Sequence, residues 1–379
     1  MHMRTNYNLT LVLIACLVII VLMSLFISFY QYNDDIVVTD RQPAEKQPMF
    51  MMLTFGKHDD DGWNEAHANG FLVAVSQLNL VAEIHDSIGP QECRLYIDDF
   101  VVRGGNVVIA PSRVYEDCIN LAAAHYPQVK FITTISEGVK DQPNVYSFFS
   151  RMYYVRYLSG ILAGMTSKGS QFGYVYLNKN SEVIRGINAF TLGVKKVNPH
   201  AKVFTFQLPN NGKADLPRRL DEFYDRYPHI KTWTYHLSGN DVERFCDRNF
   251  LQCVSYHVNK QSSFVNSSIG SAVWDWSMFY RQLARRIIVN EFTSGSDWLP
   301  VRTATAKLKG VGVDVPVEVV NYIDSEMSCL LSHECEVFRG TIRDNQGNIR
   351  VSSGTVIPDN ELLFHFNWFV DGVEEVDVQ

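Results

Sequence analysis

Between Ser150 and Pro199 the apolar residues change period twice. Val155, Leu158, Leu162 and Met165 fall at steps of three and four and mark one helical face, with Gly160 and Gly164 as flat spots where a second backbone can come close. Gln171 to Leu177 then predicts a short buried strand. Val183, Ile187, Phe190, Val194 and Val197 return to helical spacing, and Asn198 and Pro199 stop that helix.

The same alternation runs along most of the chain. Met49 to Phe55 is a continuous apolar run, suited to a strand covered on both faces. Behind the loop KHDDDG, Trp63, Ala66, Gly70, Ala74 and Leu78 trace a helix face. VAEIHDSI precedes the helical QECRLYIDDFVVRG, NVVIAPS precedes VYEDCINLAAAHYP, and VKFITTI and NVYSFFS lead into the stretch after Ser150. Beyond Pro199 come AKVFTFQL, ADLPRRLDEFYDRYP, KTWTYHL, NDVERFCDRN and QCVSYHV. Strands alternating with helices of about ten to fifteen residues predict an α/β protein with parallel sheets flanked by helices. There are too many units for one small sheet, so two lobes are expected. Trp274 to Phe292 is a further helix candidate, Val313 to Ile323 looks extended, and Gly340 to Val351 predicts a hairpin turning at Asn345 to Asn348.

Leu9 to Tyr30 holds no charged residue, and 22 largely apolar residues cross a bilayer core of roughly 30 Å as a helix. Arg4 precedes the run and Asp34, Asp35 and Asp40 follow it, which orients the N-terminus to the cytoplasm and the remainder outside. Leu13-Ile14-Ala15-Cys16 resembles the box at which bacterial lipoproteins are cut and lipidated. An uncleaved anchor is the preferred reading, and lipidation of Cys16 the alternative; both tie the protein to the membrane. The expected organisation is residues 1–8 cytoplasmic, 9–30 transmembrane, 31–48 linker, 49–168 first lobe and 169–273 second lobe. The lobe boundary falls at the polar Ser167 to Ser170, and residues 274–379 form a crossover helix and a C-terminal segment completing both lobes.

A net charge of -7 gives no basic footprint for nucleic acid. Six cysteines lie beyond the anchor, and in an exported chain Cys246 with Cys253 and Cys329 with Cys335 are the first pairs to test; the other reading is that several are small buried hydrophobes. No zinc spacing, GxSxG elbow, HExxH, P-loop or GxGxxG after a strand is present, so no metal, cofactor or enzymatic activity is expected.

YYVRYLSGILAG, GYV and EVIRGINAFTLGVKKVNP resemble the hallmark segment of the basic membrane protein family, extracytoplasmic ABC-transporter substrate-binding lipoproteins whose better-known members bind purine nucleosides or bases. The tail GTIRDNQGNIRVSSGTVIPDNELLFHFNWFVDGV resembles the end of the purine-base-binding branch. The resemblance spans Met49 to Val373 and thins between Leu208 and Ile269. It implies a type I periplasmic-binding fold whose chain crosses between lobes several times, a small planar ligand, and an ABC permease in the membrane as partner.

Ligands of open parallel sheets collect at loops leaving the carboxyl ends of strands. DGWNEAHANG resembles the family segment that meets the purine, so Asp61, Trp63 and Asn64 are candidates. A stacking Trp63 would contribute roughly 1–3 kcal/mol; its alternative role is core packing. Ser112 either donates to ligand or caps a helix. Arg151 and Tyr153 match the family's crossover near the cleft, whereas Arg185 is expected to face solvent or pair structurally. His236, Asn259, Trp274 and Asp275 occupy places where the family brings groups from its far lobe. Two departures stand out. Leu237-Ser238-Gly239 replaces a polar run with Asp, and Asn259 stands where Asp is common, which changes the donor pattern offered to a purine. The function implied is a membrane-anchored solute-binding protein of the inner membrane, with its binding domain outside. The alternative is a tethered ligand sensor with the same fold and no transport role.

Overall fold

The computed structural model describes residues 47–209 and 215–376. The span expected over Leu9 to Tyr30 and the lipidation candidate Cys16 lie outside them. Among the described residues no helix is long and apolar enough to cross a membrane. The chain separates into Met1–Gln47 and Pro48–Gln379, and the second unit carries both sheets.

Two parallel sheets carry the fold. The first contains β1 (Met49–Leu53), β2 (Val81–His85), β3 (Val107–Ala110), β4 (Lys130–Thr134), β5 (Val145–Ser150) and, much later in sequence, β11 (Gly295–Leu299), in the order β11-β5-β4-β3-β1-β2. Its helices include α1 (Trp63–Leu78), α2 (Cys93–Val102) and α3 (Glu116–His125). The second sheet has the order β12-β10-β9-β8-β6-β7-β15. Its strands are β6 (Gln171–Tyr176), β7 (Lys202–Gln207), β8 (Thr232–His236), β9 (Gln252–His257), β10 (Ser268–Trp274), β12 (Ala306–Lys309) and β15 (Val373–Val376). β12 alone runs antiparallel, beside β10. The central strands are buried on both faces, as in β3, where Val107 to Ala110 are all inside, and this is why they read as unbroken apolar runs.

α4 (Met152–Thr166) and α5 (Ser181–Val197) pack at backbone distance. A Cβ on Gly160 would lie 2.1 Å from the Phe190 carbonyl oxygen, and one on Gly193 would lie 1.9 Å from that of Tyr157. Asn180 caps α5 by accepting from the Val183 N–H at 3.1 Å, Glu182 sits in its first turn and Lys195 and Lys196 in its last, matching the helix dipole at both ends. Because α4 packs on α5 and β10, the chain leaves the first sheet at Ser150, ahead of α4, rather than at Ser167 to Ser170.

It returns after β10 through Asp275 into α8 (Ser277–Ile288), which packs on α1, and crosses again between β11 and β12. The three crossings lie side by side. Arg151 N–H donates to Leu299 O at 3.2 Å, the Asp275 N–H to Thr305 O at 2.8 Å, and the Ser150 and Thr305 hydroxyls meet at 2.5 Å.

α6 (Leu216–Arg226) and α7 (Asp241–Arg248) complete the second lobe, and α9 (Val317–Leu331) and the hairpin β13 (Ile342–Arg343) and β14 (Ile349–Val351) follow it. Val313 to Ile323 is therefore not extended: Pro316 opens a helix at Val317, and the β-branched residues that suggested a strand place Val319 and Ile323 on a buried helical stripe. Trp274, expected to begin a helix, ends β10. Of the two expected disulfides, Cys329–Cys335 is present, whereas Cys246 and Cys253 are free, buried thiols. Cys93 instead pairs with Cys118, joining α2 to α3 with Cα atoms 6.4 Å apart.

Candidate ligand-binding cleft

Strand order reverses between β1 and β3 in the first sheet and between β6 and β8 in the second, so the loops after those strands diverge and leave a crevice. A cleft of about 300 Å³ lies there. Trp63, Ser112, Arg113, Thr134, Ile135 and Phe149 supply the first-lobe wall, and Asn178, Glu182 and Arg185 the second. Leu363 and Phe364, from a single π-helical turn at Glu361–His365, close a further side.

Trp63 begins α1, and its indole N–H donates to Pro111 O at 2.7 Å, fastening the loop after β1 to the loop after β3. Behind it stands an aromatic stack. Trp274 meets Trp63 edge-on with centroids 5.4 Å apart, Trp276 stacks on Trp274 at 5.2 Å, and His67 lies 4.6 Å from Trp276 in near-parallel planes. Phe149 flanks Trp63 at 6.0 Å. Ser112 accepts from the Val114 N–H, so it caps a helical turn while lining the cleft. Thr134, at the end of β4, presents a buried hydroxyl with no hydrogen-bond partner in the protein.

Glu182 supplies the cleft's carboxylate. Burial works to raise its pKa, but His236, Arg185 and Arg156 together draw it down to about 2, so it remains ionised. It accepts from Nε2 of His236 at 3.1 Å. Burial lowers the pKa of His236 against the pull of Glu182, which makes it a neutral donor behind the carboxylate rather than a competing cation. Arg156 is fully buried, donates to Tyr235 O at 2.8 Å and lies 3.5 Å from the Tyr256 ring centroid. Arg185 is also buried; burial lowers its pKa to about 10, with Glu182 opposing the shift, and it donates to Leu362 O.

The sequence candidates thus part company. Trp63 and Ser112 line the cleft, and His236 stands directly behind Glu182. Trp274 backs Trp63. Asp61 instead bridges the lobes, accepting from Asn240 Nδ2 at 3.0 Å and from the Gly239 N–H at 3.3 Å. Asn64 turns back to Asp60 at 2.9 Å. Arg151 binds Asp359, and Tyr153 is buried against Tyr154 and Phe338. Asp275 pairs with Lys307 and Lys309 at the crossover. Asn259 folds into a local turn, accepting from the Gln261 N–H at 3.3 Å, beside Gly310. No tertiary signal in the sequence singled out Thr134, Phe149, Asn178, Glu182 or Phe364. Arg185, expected to face solvent or to pair structurally, is buried, donates to Leu362 O and lines the cleft.

Residues 48–328 match the family described as ABC transporter substrate-binding protein, PnrA-like. A purine-binding protein of Brucella abortus is 23% identical over 345 residues, covering 88% of this chain and 94% of that relative. A Haloferax volcanii protein named as a candidate ABC transporter glucose-binding protein is 23% identical over 324 residues, covering 83% and 77%. Among solved structures, an ABC-transporter solute-binding protein from Conexibacter woesei superposes with a TM-score of 0.64 at 17% identity, covering 76% of this chain and 98% of that one. A transcriptional activator of the comK gene from Bacillus halodurans gives 0.64 at 19% identity, covering 75% and 98%.

Proposed function

From the premise that the chain belongs to the Bmp family of PnrA-like ABC transporter substrate-binding proteins, we propose that its cleft takes a small planar heterocycle of the purine class. The family is one of extracytoplasmic solute-binding proteins, not enzymes, and its members deliver a small ligand to an ABC transporter. The finer reading rests on one observation: an indole and two phenyl rings, Trp63, Phe149 and Phe364, share a cleft with one ionised carboxylate, Glu182.

Rings favour a flat ligand, since stacking is available on every face of it. A carboxylate held anionic accepts from ring N–H groups, while the Asn178 amide, the Thr134 hydroxyl and the Arg185 guanidinium can meet ring nitrogens and exocyclic oxygens. A sugar would call for several acceptors matched to hydroxyls, and Glu182 is the cleft's one carboxylate among the described lining residues. The cleft lies at the lower end of the 300–1,000 Å³ typical of ligand sites. In this reading Trp63 stacks, Glu182 orients the ring, and His236 and Arg185 hold the carboxylate. Asp61 and the crossovers serve closure. A membrane anchor over residues 9–30 would keep the site beside its permease.

Thermal unfolding of the solubilised full chain against purine bases, nucleosides, glucose and amino acids tests this. A ligand at 100 times its Kd stabilises by about 2.7 kcal/mol, which shifts the midpoint visibly. The expected result is a shift with purines that Trp63→Leu and Glu182→Gln abolish while both variants still unfold cooperatively. A shift with glucose and none with purines overturns the assignment.

A further inference from the structure

Phe364 stands between two cavities. On one side is the cleft. On the other is a depression of about 460 Å³ at the rim of the first lobe, lined by Ser136, Lys140, Gln142, Ser294 and Ser296 among others. Ile135 and Phe364 border both, so these two side chains form an apolar partition between an aromatic chamber and a polar one.

The backbone that presents Phe364 is fastened from the second lobe. Arg151 makes a two-pronged contact with Asp359, at 2.9 and 2.5 Å, and its guanidinium lies 3.9 Å from the Trp298 ring centroid. Arg185 donates to Leu362 O, and the Leu362 N–H reaches Pro358 O at 3.0 Å. On the far side, Asn188 holds Trp368 O at 2.8 Å and the Val370 N–H at 3.0 Å. Paired Arg–carboxylate bonds fix direction as well as distance. The strap itself, from Pro358 to Val370, lies beyond residues 48–328.

We infer that Phe364, with Ile135, is a size limit that admits the free heterocyclic base and rejects its glycosylated form. The inference rests on the purine reading above. A ribosyl group attached to a ring held in the aromatic chamber would have to pass the partition to reach the hydroxyl, amide and ammonium groups of the polar chamber. A competitor is rejected by a clash of this kind as effectively as by a missing contact. Arg151 and Asp359 are positioning residues, acting through the strap.

Calorimetric titration of the full chain with adenine, hypoxanthine, adenosine and inosine tests it, using wild type, Phe364→Ala and Asp359→Asn. Phe364 is only half-buried, so its truncation leaves the fold intact, which the thermal midpoint checks. Wild type is expected to bind bases at least tenfold more tightly than nucleosides. Phe364→Ala also removes one of the cleft's rings, so it is expected to lose some base affinity while gaining nucleoside affinity, which erases the preference, and Asp359→Asn to move partway in the same direction. A wild type that binds nucleosides as tightly as bases, or a Phe364→Ala variant that weakens both alike, overturns the size limit and leaves the purine reading standing. Silence of all three proteins toward every purine overturns both.

Discussion

Asn240 of the second lobe donates through Nδ2 to the carboxylate of Asp61 in the first, at 3.0 Å. Two further contacts reinforce this bridge: the Gly239 N–H reaches Asp61 O at 3.3 Å and the Trp63 N–H reaches Ser238 Oγ at 3.2 Å. Behind the loop, buried Lys260 donates to Gly239 O and lies 3.5 Å from buried Glu243, so the second-lobe side of the bridge is held by an internal ion pair. The lobes meet at the backbone of the candidate stacking tryptophan and at Asp61, two residues before it, which couples closure to the cleft wall.

Gly62 makes that meeting sterically feasible. A Cβ there would lie 2.1 Å from Ser238 Oγ and 2.7 Å from Ser238 Cα. Gly62→Ala is therefore expected to hold the lobes apart while each still folds. Small-angle scattering should report a larger radius of gyration, and ligand affinity should fall at least tenfold, about 1.4 kcal/mol. Wild-type scattering and affinity in the variant would remove the bridge from the closing mechanism.

The α4–α5 contact makes a sharper stability prediction. Gly193→Ala drives a methyl into the Tyr157 carbonyl, whereas Gly169→Ala meets nothing nearer than His229 O at 3.8 Å. Overpacking a rigid contact costs about 1–3 kcal/mol, and Gly193→Ala should reach or exceed the upper end because the obstacle is backbone. Gly169→Ala should be near neutral. Urea unfolding of the pair measures both.

That contact was legible in the sequence because small residues at helical spacing have a direct steric meaning. Alternating periods likewise announced the parallel sheets, and the strand-end rule pointed to the loops holding Trp63 and Ser112. Other features depend on tertiary placement. A polar residue on a helix face looks the same whether it meets solvent or a cleft, so sequence pattern does not distinguish Glu182 and Arg185 from exposed residues. Phe364 is remote in sequence from every other wall of the cleft. Proximity along the chain favoured Cys246 with Cys253, yet bridging depends on Cα separation, which α2 and α3 supply for Cys93 and Cys118. Asn259, expected to bear on purine specificity, lies in a local turn and is not among the residues lining the cleft.

Three histidines set the acid limb of stability. Burial lowers the pKa of His67 and His257 well below the ordinary value and lowers that of His236 as well. The unfolded chain therefore takes up these protons first, and stability falls as pH drops below about 6.5. Each fully depressed histidine costs about 1.4 kcal/mol per pH unit there. Glu182 acts in a lower window: its folded pKa near 2 lies below the unfolded value of 4.5, so its contribution is complete above pH 4.5 and is lost between 4.5 and 2. Urea melts from pH 7.5 to 5 should show the histidine slope, and His67→Asn should reduce it by about one proton. An unchanged slope would mean that His67 is protonated in the fold.

The two disulfides should contribute unequally. Cys93–Cys118 closes a separation of 25 residues and Cys329–Cys335 one of 6. Restricting the unfolded chain to those loops corresponds to about 3.5 and about 2 kcal/mol. Replacing Cys93 and Cys118 together by Ala should therefore lower stability more than replacing Cys329 and Cys335, by about 1 kcal/mol. The buried thiols add a second readout. Burial, with Cys246 as hydrogen-bonding neighbour, pushes the Cys253 thiol pKa well up, so little thiolate forms at neutral pH. Peptide mapping after alkylation should find Cys246 and Cys253 unmodified in the native protein and modified after denaturation, with Cys93, Cys118, Cys329 and Cys335 labelled only once reduced. Native labelling of Cys253 would show that α7 opens from β9 on the timescale of the reagent.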